Sequence, residues 1–450
     1  MFFWKNFYIL EQRETIQTSQ LGGRIMAKFK DLEVENITLE AVPPEEKKSW
    51  LTIAFIWAGQ VVCVPALLCG ALIASGLTFK ESFLAMVIGY GISVVLMMLI
   101  ATQAAYTGRP SVIAVTRALG TRGSQLSVSL VLAISMVGWF AYNNIVCAES
   151  FVSLLKTANV DFPVSAACII LGALMLLTAF FGIGLTKFLN IVGVPLLLLF
   201  MIYAIVVALK GNGVETLMNY VPEEPISMTT GITISVGGFI AGAATCGDYN
   251  RYSKDAVSAV LSSIFGIIPL GVGALLCGAV LAITTGNYDI TVMFANVGMP
   301  IIGLLVLILA TWTTNVGNAY SAGIDLVNIL KLKDDKRALV TLIAGIVGIL
   351  LSLGGIVYYF VNFLSMLSYL ISPICAILVA DYWIMGKGKH ENWEPFEGVN
   401  WLGIIAWLAG AVITYFDTFF VPEIIGIIGA MIIYTLLCKL VKNPKINPFA

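Results

Sequence analysis

Apolar runs, most of them 18 residues or more, separated by short polar, glycine and proline punctuation, recur along the chain from Trp50 onward. Each predicts a membrane-spanning α-helix, because lipid offers backbone groups no hydrogen-bond partner and a helix satisfies its own. A β-barrel would show short alternating segments instead. The first five runs are Trp50 to Gly76, Phe83 to Tyr106, Ser124 to Leu155, Val164 to Phe181 and Thr186 to Leu209. The next five are Thr229 to Asp248, Val257 to Thr285, Pro300 to Leu330, Leu339 to Leu353 and Gly355 to Tyr382, and a terminal pair follows at Trp401 to Tyr415 and Glu423 to Leu440. The pattern predicts an all-α polytopic membrane protein of roughly twelve spans.

Loop charge supports that count. Cytoplasmic loops carry an excess of Lys and Arg. With the N-terminus placed inside, all 25 basic residues except Lys80, Lys156 and Lys210 fall in inside segments. One miscounted span would invert every later loop, so both termini are expected in the cytoplasm. Composition agrees: 59% of residues are hydrophobic and 11% charged, against about a quarter charged in soluble proteins. The net charge of -1 gives no support to nucleic-acid binding. All eight cysteines lie in or beside apolar runs without paired spacing, and the only histidine, His390, sits in a polar loop. Metal and redox chemistry therefore lack ligands in the sequence.

Two spans are punctuated at mid-membrane. The first carries Gly59 and Pro65 around Gln60-Val61-Val62-Cys63-Val64, and the sixth carries Gly231, Gly237, Gly238 and Gly242. Glycine and proline weaken a helix, and freed backbone groups at membrane depth persist where they line a cavity or bind something. Interrupted spans in matching positions of two halves point to a transporter built from inverted repeats, with its site at the bilayer midplane. Glycines that let helices pack closely are the alternative reading.

Trp139 lies halfway along the third span, far from the interface that tryptophan favours. Asn143 stands four residues later on the same helix face, so the pair offers a flat ring beside an amide that donates and accepts. Such a pair suits a planar polar ligand, although an aromatic packing knob with a helix-bridging asparagine would look the same. Phe239 follows Gly237 and Gly238 in the sixth span and supplies a second ring beside approachable backbone. The eighth span carries Thr313 and Thr314, whose hydroxyls either bond back to the preceding turn or complete an oxygen cage for a small cation. The acids Glu149, Asp248, Asp325 and Asp381 sit toward span ends, which favours sodium over protons as coupling ion. One sodium ion moving through 100 mV gains about 2.3 kcal/mol, and a tenfold gradient adds about 1.4 kcal/mol.

From about Trp50 to the C-terminus the chain resembles the nucleobase-cation symport family 1, the cytosine, purine and hydantoin permeases. The resemblance is carried by Val137-Gly138-Trp139-Phe140, Asp248-Tyr249-Asn250-Arg251-Tyr252, Trp312-Thr313-Thr314-Asn315 and Ala380-Asp381-Tyr382-Trp383. It implies a leucine-transporter-type fold: a five-plus-five inverted repeat over 50–209 and 229–382, with discontinuous helices one and six, plus two C-terminal helices over 401–440, after an N-terminal segment 1–49. It implies that Trp139 and Phe239 stack on the substrate while Gly237 and Gly238 offer backbone contacts. It also implies a sodium ion held by carbonyls of Gly59, Val62 and Ala310 and by the hydroxyls of Thr313 and Thr314. Asn315 and Asn318 join Asn143 as candidate polar contacts, with Gln60 in support.

Met136 departs from the cytosine permease pattern, which has glutamine three residues before the tryptophan; a thioether cannot read an amide edge. The expected function is thus symport of a nucleobase-like heterocycle with sodium across a bacterial plasma membrane. Proton-coupled uptake of hydroxymethylpyrimidine, hydantoin or allantoin, or an amino-acid transporter of the same fold, is the alternative. A membrane enzyme lacks clustered acids, bases or metal ligands. The run Gly22-Gly23-Arg24-Ile25-Met26 reads like a translated ribosome-binding sequence before a start codon, so Met26 is expected to be the true start. Intact mass of the protein made from its own gene should show nothing before Met26; a mass that includes Met1 to Ile25 removes this expectation.

Overall fold

The chain's helices begin and end where local chemistry allows. The computed structural model describes residues 41–450 apart from 182, 297, 333–335, 392 and 418–419, with backbone only at 180–192 and 337. Met26 lies outside them. Ser49 caps α1 (Trp50–Val61) by accepting the Thr52 N–H at 3.4 Å. Thr78 and Glu81 form a reciprocal capping box on α3 (Phe79–Thr107), which ends at Gly108 with φ 66°. Between them, α2 spans Val64–Gly76.

The succeeding helices are α4 (Leu130–Thr157), α5 (Val164–Phe181), α6 (Ile183–Ala208), α7 (Met228–Ala244), α8 (Ala256–Ile267) and α9 (Gly273–Thr285). Then come α10 (Pro300–Leu330), α11 (Arg337–Leu353), α12 (Phe360–Val379), α13 (Trp401–Phe416) and α14 (Pro422–Leu440). A π-turn at Ile268–Val272 joins α8 to α9 where Pro269 lacks a backbone donor. Among the described residues, seven helices are long and apolar enough to cross a bilayer. The pair α1 and α2 meets the same criterion as one span bent by 60°, and four shorter apolar helices accompany them.

Two groups of helices pack as units. In one, α2 lies along α9, α8 along α1, and α3 against both α7 and α8. In the other, α4 packs along α10 and also against α5 and α11. The helix α12 touches α7, α3 and α4, so it borders both groups, and α14 packs behind it.

The expected interruption of helix six at Gly237 and Gly238 is not there. The helix α7 runs unbroken from Met228 to Ala244, and the chain turns only at Thr245 and Cys246. The glycines serve close approach: a Cβ on Gly237 would sit 2.2 Å from Leu364 O of α12, and one on Gly238 3.1 Å from Cys69 Sγ of α2. Helix one, in contrast, breaks where expected.

One tight crossing joins α2 and α9 reciprocally, backbone against backbone. A Cβ on Gly70 would lie 1.8 Å from Leu275 O, and one on Gly278 would lie 1.8 Å from Leu67 O. Backbone cannot yield as a side-chain tip can, so Gly70→Leu or Gly278→Leu should force these helices apart at a cost of about 1–3 kcal/mol or more. Gly91→Ala on α3, where a Cβ meets nothing within 4 Å, should leave stability unchanged. Melting temperatures of the detergent-purified variants test this; equal stability of Gly70→Leu and Gly91→Ala would refute the crossing.

Candidate functional site

At the α1–α2 break, backbone geometry departs from helical at Val62 (φ -80°, ψ 80°) and becomes extended at Cys63 (φ -145°, ψ 160°). Val62 N–H still reaches Ala58 O at 3.2 Å, but Cys63 N–H turns to Val61 O at 3.0 Å. Carbonyls in the last turn of α1 thus lose the N–H four residues on. Pro65, in the first turn of α2, has no N–H to leave unpaired, so the restart costs little there. Gly59 faces open space, with nothing within 4 Å of where a Cβ would stand.

The proposed cation residues of α10 share one turn. Thr313 Oγ1 and Thr314 Oγ1 both donate to Ala310 O, at 2.9 and 3.0 Å. Back-bonding consumes each hydroxyl's proton and leaves its lone pairs able to accept. Thr313 is buried, Thr314 half-buried, and Gly317 one turn later borders open space.

Trp139 is buried against α12. Its ring meets Phe360 and Phe363 edge-on, at centroid distances of 5.5 and 5.6 Å, while Tyr142 stacks on Phe360 at 3.6 Å. Asn143 Nδ2 donates to Trp139 O at 3.0 Å. Its Oδ1 is buried with no hydrogen-bond partner, one helical turn from the tryptophan. Because the donating half must face a carbonyl, the amide orientation is fixed and the acceptor is the free end.

Phe239 stacks on Tyr90 of α3 at 5.4 Å and meets Trp57 of α1 edge-on at 6.2 Å. The two rings expected to flank a ligand therefore each lean on their own aromatic neighbours, Trp139 on α12 and Phe239 on α3 and α1. Asn315 is fully buried; its Nδ2 donates to Phe140 O at 3.0 Å and its Oδ1 accepts from half-buried Asn318 at 3.4 Å. Gln60 Nε2 donates to Tyr249 Oη at 2.8 Å.

Sequence reasoning missed the ties around this site. Asn250 Oδ1 accepts from Trp57 Nε1 at 2.9 Å, and Ser111 N–H donates to Asp248 Oδ1 at 2.9 Å, so the motif after α7 fastens α1 and the α3–α4 connection. Lys47 Nζ donates to Ala105 O and Arg251 O at 2.9 and 2.6 Å, and burial holds its pKa below that of a free lysine. Arg117 Nε pairs with Asp381 Oδ2 at 2.8 Å, both side chains buried, and Tyr434 Oη donates to Asp381 Oδ1 at 2.8 Å. Arg117 also lies over the Phe449 ring at 5.1 Å. Asp381 was visible as part of a motif; Arg117, 264 residues away, could not be paired with it from one sequence.

Comparisons with known proteins give the family and the fold. A family model described as permease for cytosine/purines, uracil, thiamine, allantoin matches residues 41–436. A cytosine permease of Escherichia coli (strain K12) is 27% identical over 415 residues, covering 92% of this chain and 95% of its own. A hydantoin permease of Microbacterium maritypicum is 23% identical over 422 residues, covering 85% and 84%. The fold is that of Mhp1, a nucleobase-cation-symport-1 family transporter. Its inward-facing conformation superposes with a TM-score of 0.78 at 20% identity, covering 89% of this chain and 92% of that one. Its closed conformation with bromovinylhydantoin bound gives 0.71 at 19%, covering 89% and 94%.

Removing Arg117 strands a buried carboxylate. Arg117→Ala should destabilise the purified protein by about 3–5 kcal/mol, read as a large fall in melting temperature. A melting temperature equal to wild type would show that the pair is not buried as described.

Proposed function

We propose that this chain, which belongs to the family of permeases for cytosine/purines, uracil, thiamine and allantoin, imports a planar nitrogen heterocycle together with sodium by alternating access. The observation that carries the reading is the buried, partnerless Oδ1 of Asn143, one helical turn from Trp139. An orphaned acceptor at membrane depth is costly, and a ring bearing an N–H relieves it while stacking on the indole. The curated relatives named cytosine permease and hydantoin permease support a ring of that kind.

Sodium is supported by the kind of donor that the two helices carry. The broken end of α1 supplies Gly59 and Val62 carbonyls; one turn of α10 supplies Ala310 O and the lone pairs of Thr313 and Thr314. Hard oxygen donors of that composition suit a small alkali cation in a broken-helix transporter. The remaining reading is of twelve spans in two inverted five-helix repeats plus a terminal pair, with both termini on the cytoplasmic side of the inner membrane. A proton-coupled permease for hydroxymethylpyrimidine, hydantoin or allantoin is the competing reading; the hydantoin permease relative bears on its substrate and not on the coupling ion.

Uptake of cytosine, uracil, hypoxanthine, allantoin and benzylhydantoin into proteoliposomes, with and without a sodium gradient, tests the proposal. At least one ring should accumulate only with sodium. Trp139→Ala should abolish binding of that ring in protein that remains folded, and Thr314→Ala should flatten the sodium response. Sodium-independent uptake that follows a pH gradient would replace sodium by protons; preference for amino acids over all five rings would overturn the reading.

A further inference from the structure

Three consecutive carbonyls at the middle of α4 each accept a hydrogen bond from a side chain. Asn143 Nδ2 reaches Trp139 O at 3.0 Å, Asn315 Nδ2 of α10 reaches Phe140 O at 3.0 Å, and Ser352 Oγ of α11 reaches Ala141 O at 2.8 Å. Beside them, Asn144 Nδ2 donates to Cys168 O of α5 at 3.1 Å and to Ser352 Oγ at 3.2 Å. The single Ser352 proton is shared with Gly348 O, 2.9 Å away. All four side chains are buried.

The backbone of α4 does not require these bonds. The helix is unbroken from Leu130 to Thr157, so its carbonyls already have their own N–H partners and the side chains use second lone pairs. The Asn143 bond stays within α4; those of Asn315, Ser352 and Asn144 cross to neighbouring helices and fix the rotation of α4 about its axis and its height against α5, α10 and α11. The neighbours leave it no slack: a Cβ on Gly348 of α11 would lie 2.5 Å from Phe140 Cδ1, and one on Gly172 of α5 3.1 Å from Asn144 Nδ2. The clasped turn is the one that presents Trp139 and Asn143.

We propose that Asn315, Ser352 and Asn144 are positioning residues, a three-helix clasp that sets the plane of the Trp139 ring and the direction of Asn143 Oδ1 toward the substrate. This rests on the permease reading above and gives Asn315 a different role from direct substrate contact. Binding groups must be held to about half an ångström and 10–20° to work together, and bonds from α10 and α11 to two successive carbonyls, with Asn144 tied to α5, restrain both the rotation and the height of that turn. Helix-to-helix hydrogen bonds within membranes are modest, so each one lost should weaken substrate binding by about three- to tenfold without unfolding the protein.

Equilibrium binding of radiolabelled cytosine, uracil, hypoxanthine, allantoin and benzylhydantoin to the purified full chain provides the test. Ser352→Ala and Asn315→Leu should raise Kd for the bound ring about three- to tenfold and leave the sodium concentration at half-saturation unchanged, while Ser352→Thr, which keeps the hydroxyl, should restore wild-type affinity. In a Trp139→Phe background the same replacements should cost less than in wild type, because they act through that ring. Effects that multiply independently of Trp139→Phe, or an unchanged Kd in both variants, would overturn the clasp while the permease reading stands. If Asn315→Leu fails to fold, the Ser352→Ala and Ser352→Thr pair decides alone. Failure of the wild type to bind any of the five rings would overturn the permease reading and the clasp together.

Discussion

A backbone in lipid has no solvent to fall back on, and the rest of this structure follows from where that rule is relaxed. Every described apolar run forms helix, so its amides and carbonyls are paired within the segment. At Val62 and Cys63 the pairing lapses and the chain bends by 60°. Pro65 makes the lapse cheap by removing one donor that would otherwise need a partner. Carbonyls freed in this way need something polar to face. At Gly59 and at Gly317 no protein atom lies within 4 Å of where a Cβ would stand, so neither backbone is packed against a neighbouring helix there.

Glycine carried two meanings in the sequence, and only the structure separates them. Gly59 at the α1 break borders emptiness, whereas Gly237 on α7 abuts the Leu364 carbonyl. Both read as punctuation in a hydrophobic run, because a sequence records that a side chain is missing but not what fills its place. The α1 break had a proline beside it and the α7 glycines did not, yet Gly193 and Pro195 lie together inside unbroken α6, so the pairing alone does not mark an interruption. A helix rich in glycine but lacking proline retains its ladder when close neighbours reward the approach.

Span positions and the aromatic and hydroxyl residues were legible because hydrophobic length and side-chain chemistry are local properties. Trp139, Asn143, Thr313 and Thr314 could all be picked out by their neighbours on one helix. Pairings across the fold could not. Arg117 with Asp381, Trp57 with Asn250 and Asn315 with the Phe140 carbonyl join residues 264, 193 and 175 positions apart. Asn315 shows the consequence most clearly: its amide looked like a ligand contact by type, and its hydrogen bonds make it a brace between α4 and α10. Glu423 escaped notice for a related reason, since it opens a span yet is fully buried and accepts from Ser368 at 2.7 Å.

For the proposed transporter, the two kinds of contact divide the work of recognition unequally. Stacking on an indole is worth about 1–3 kcal/mol per base and tolerates any flat ring, so Trp139 alone would admit many heterocycles. Met136 cannot correct this, having no group that reads a polar edge. Asn143 can, because one half of its amide is committed to the Trp139 carbonyl and the other half is thereby fixed as an acceptor. A ring that brings an N–H to that point satisfies a buried group; one that does not leaves it stranded. Sites of that design discriminate against the analogue lacking the hydrogen bond by about 10⁴–10⁵, far beyond what stacking supplies. Selectivity then resides in a single oriented amide, and whatever holds its helix turn in place shares in it.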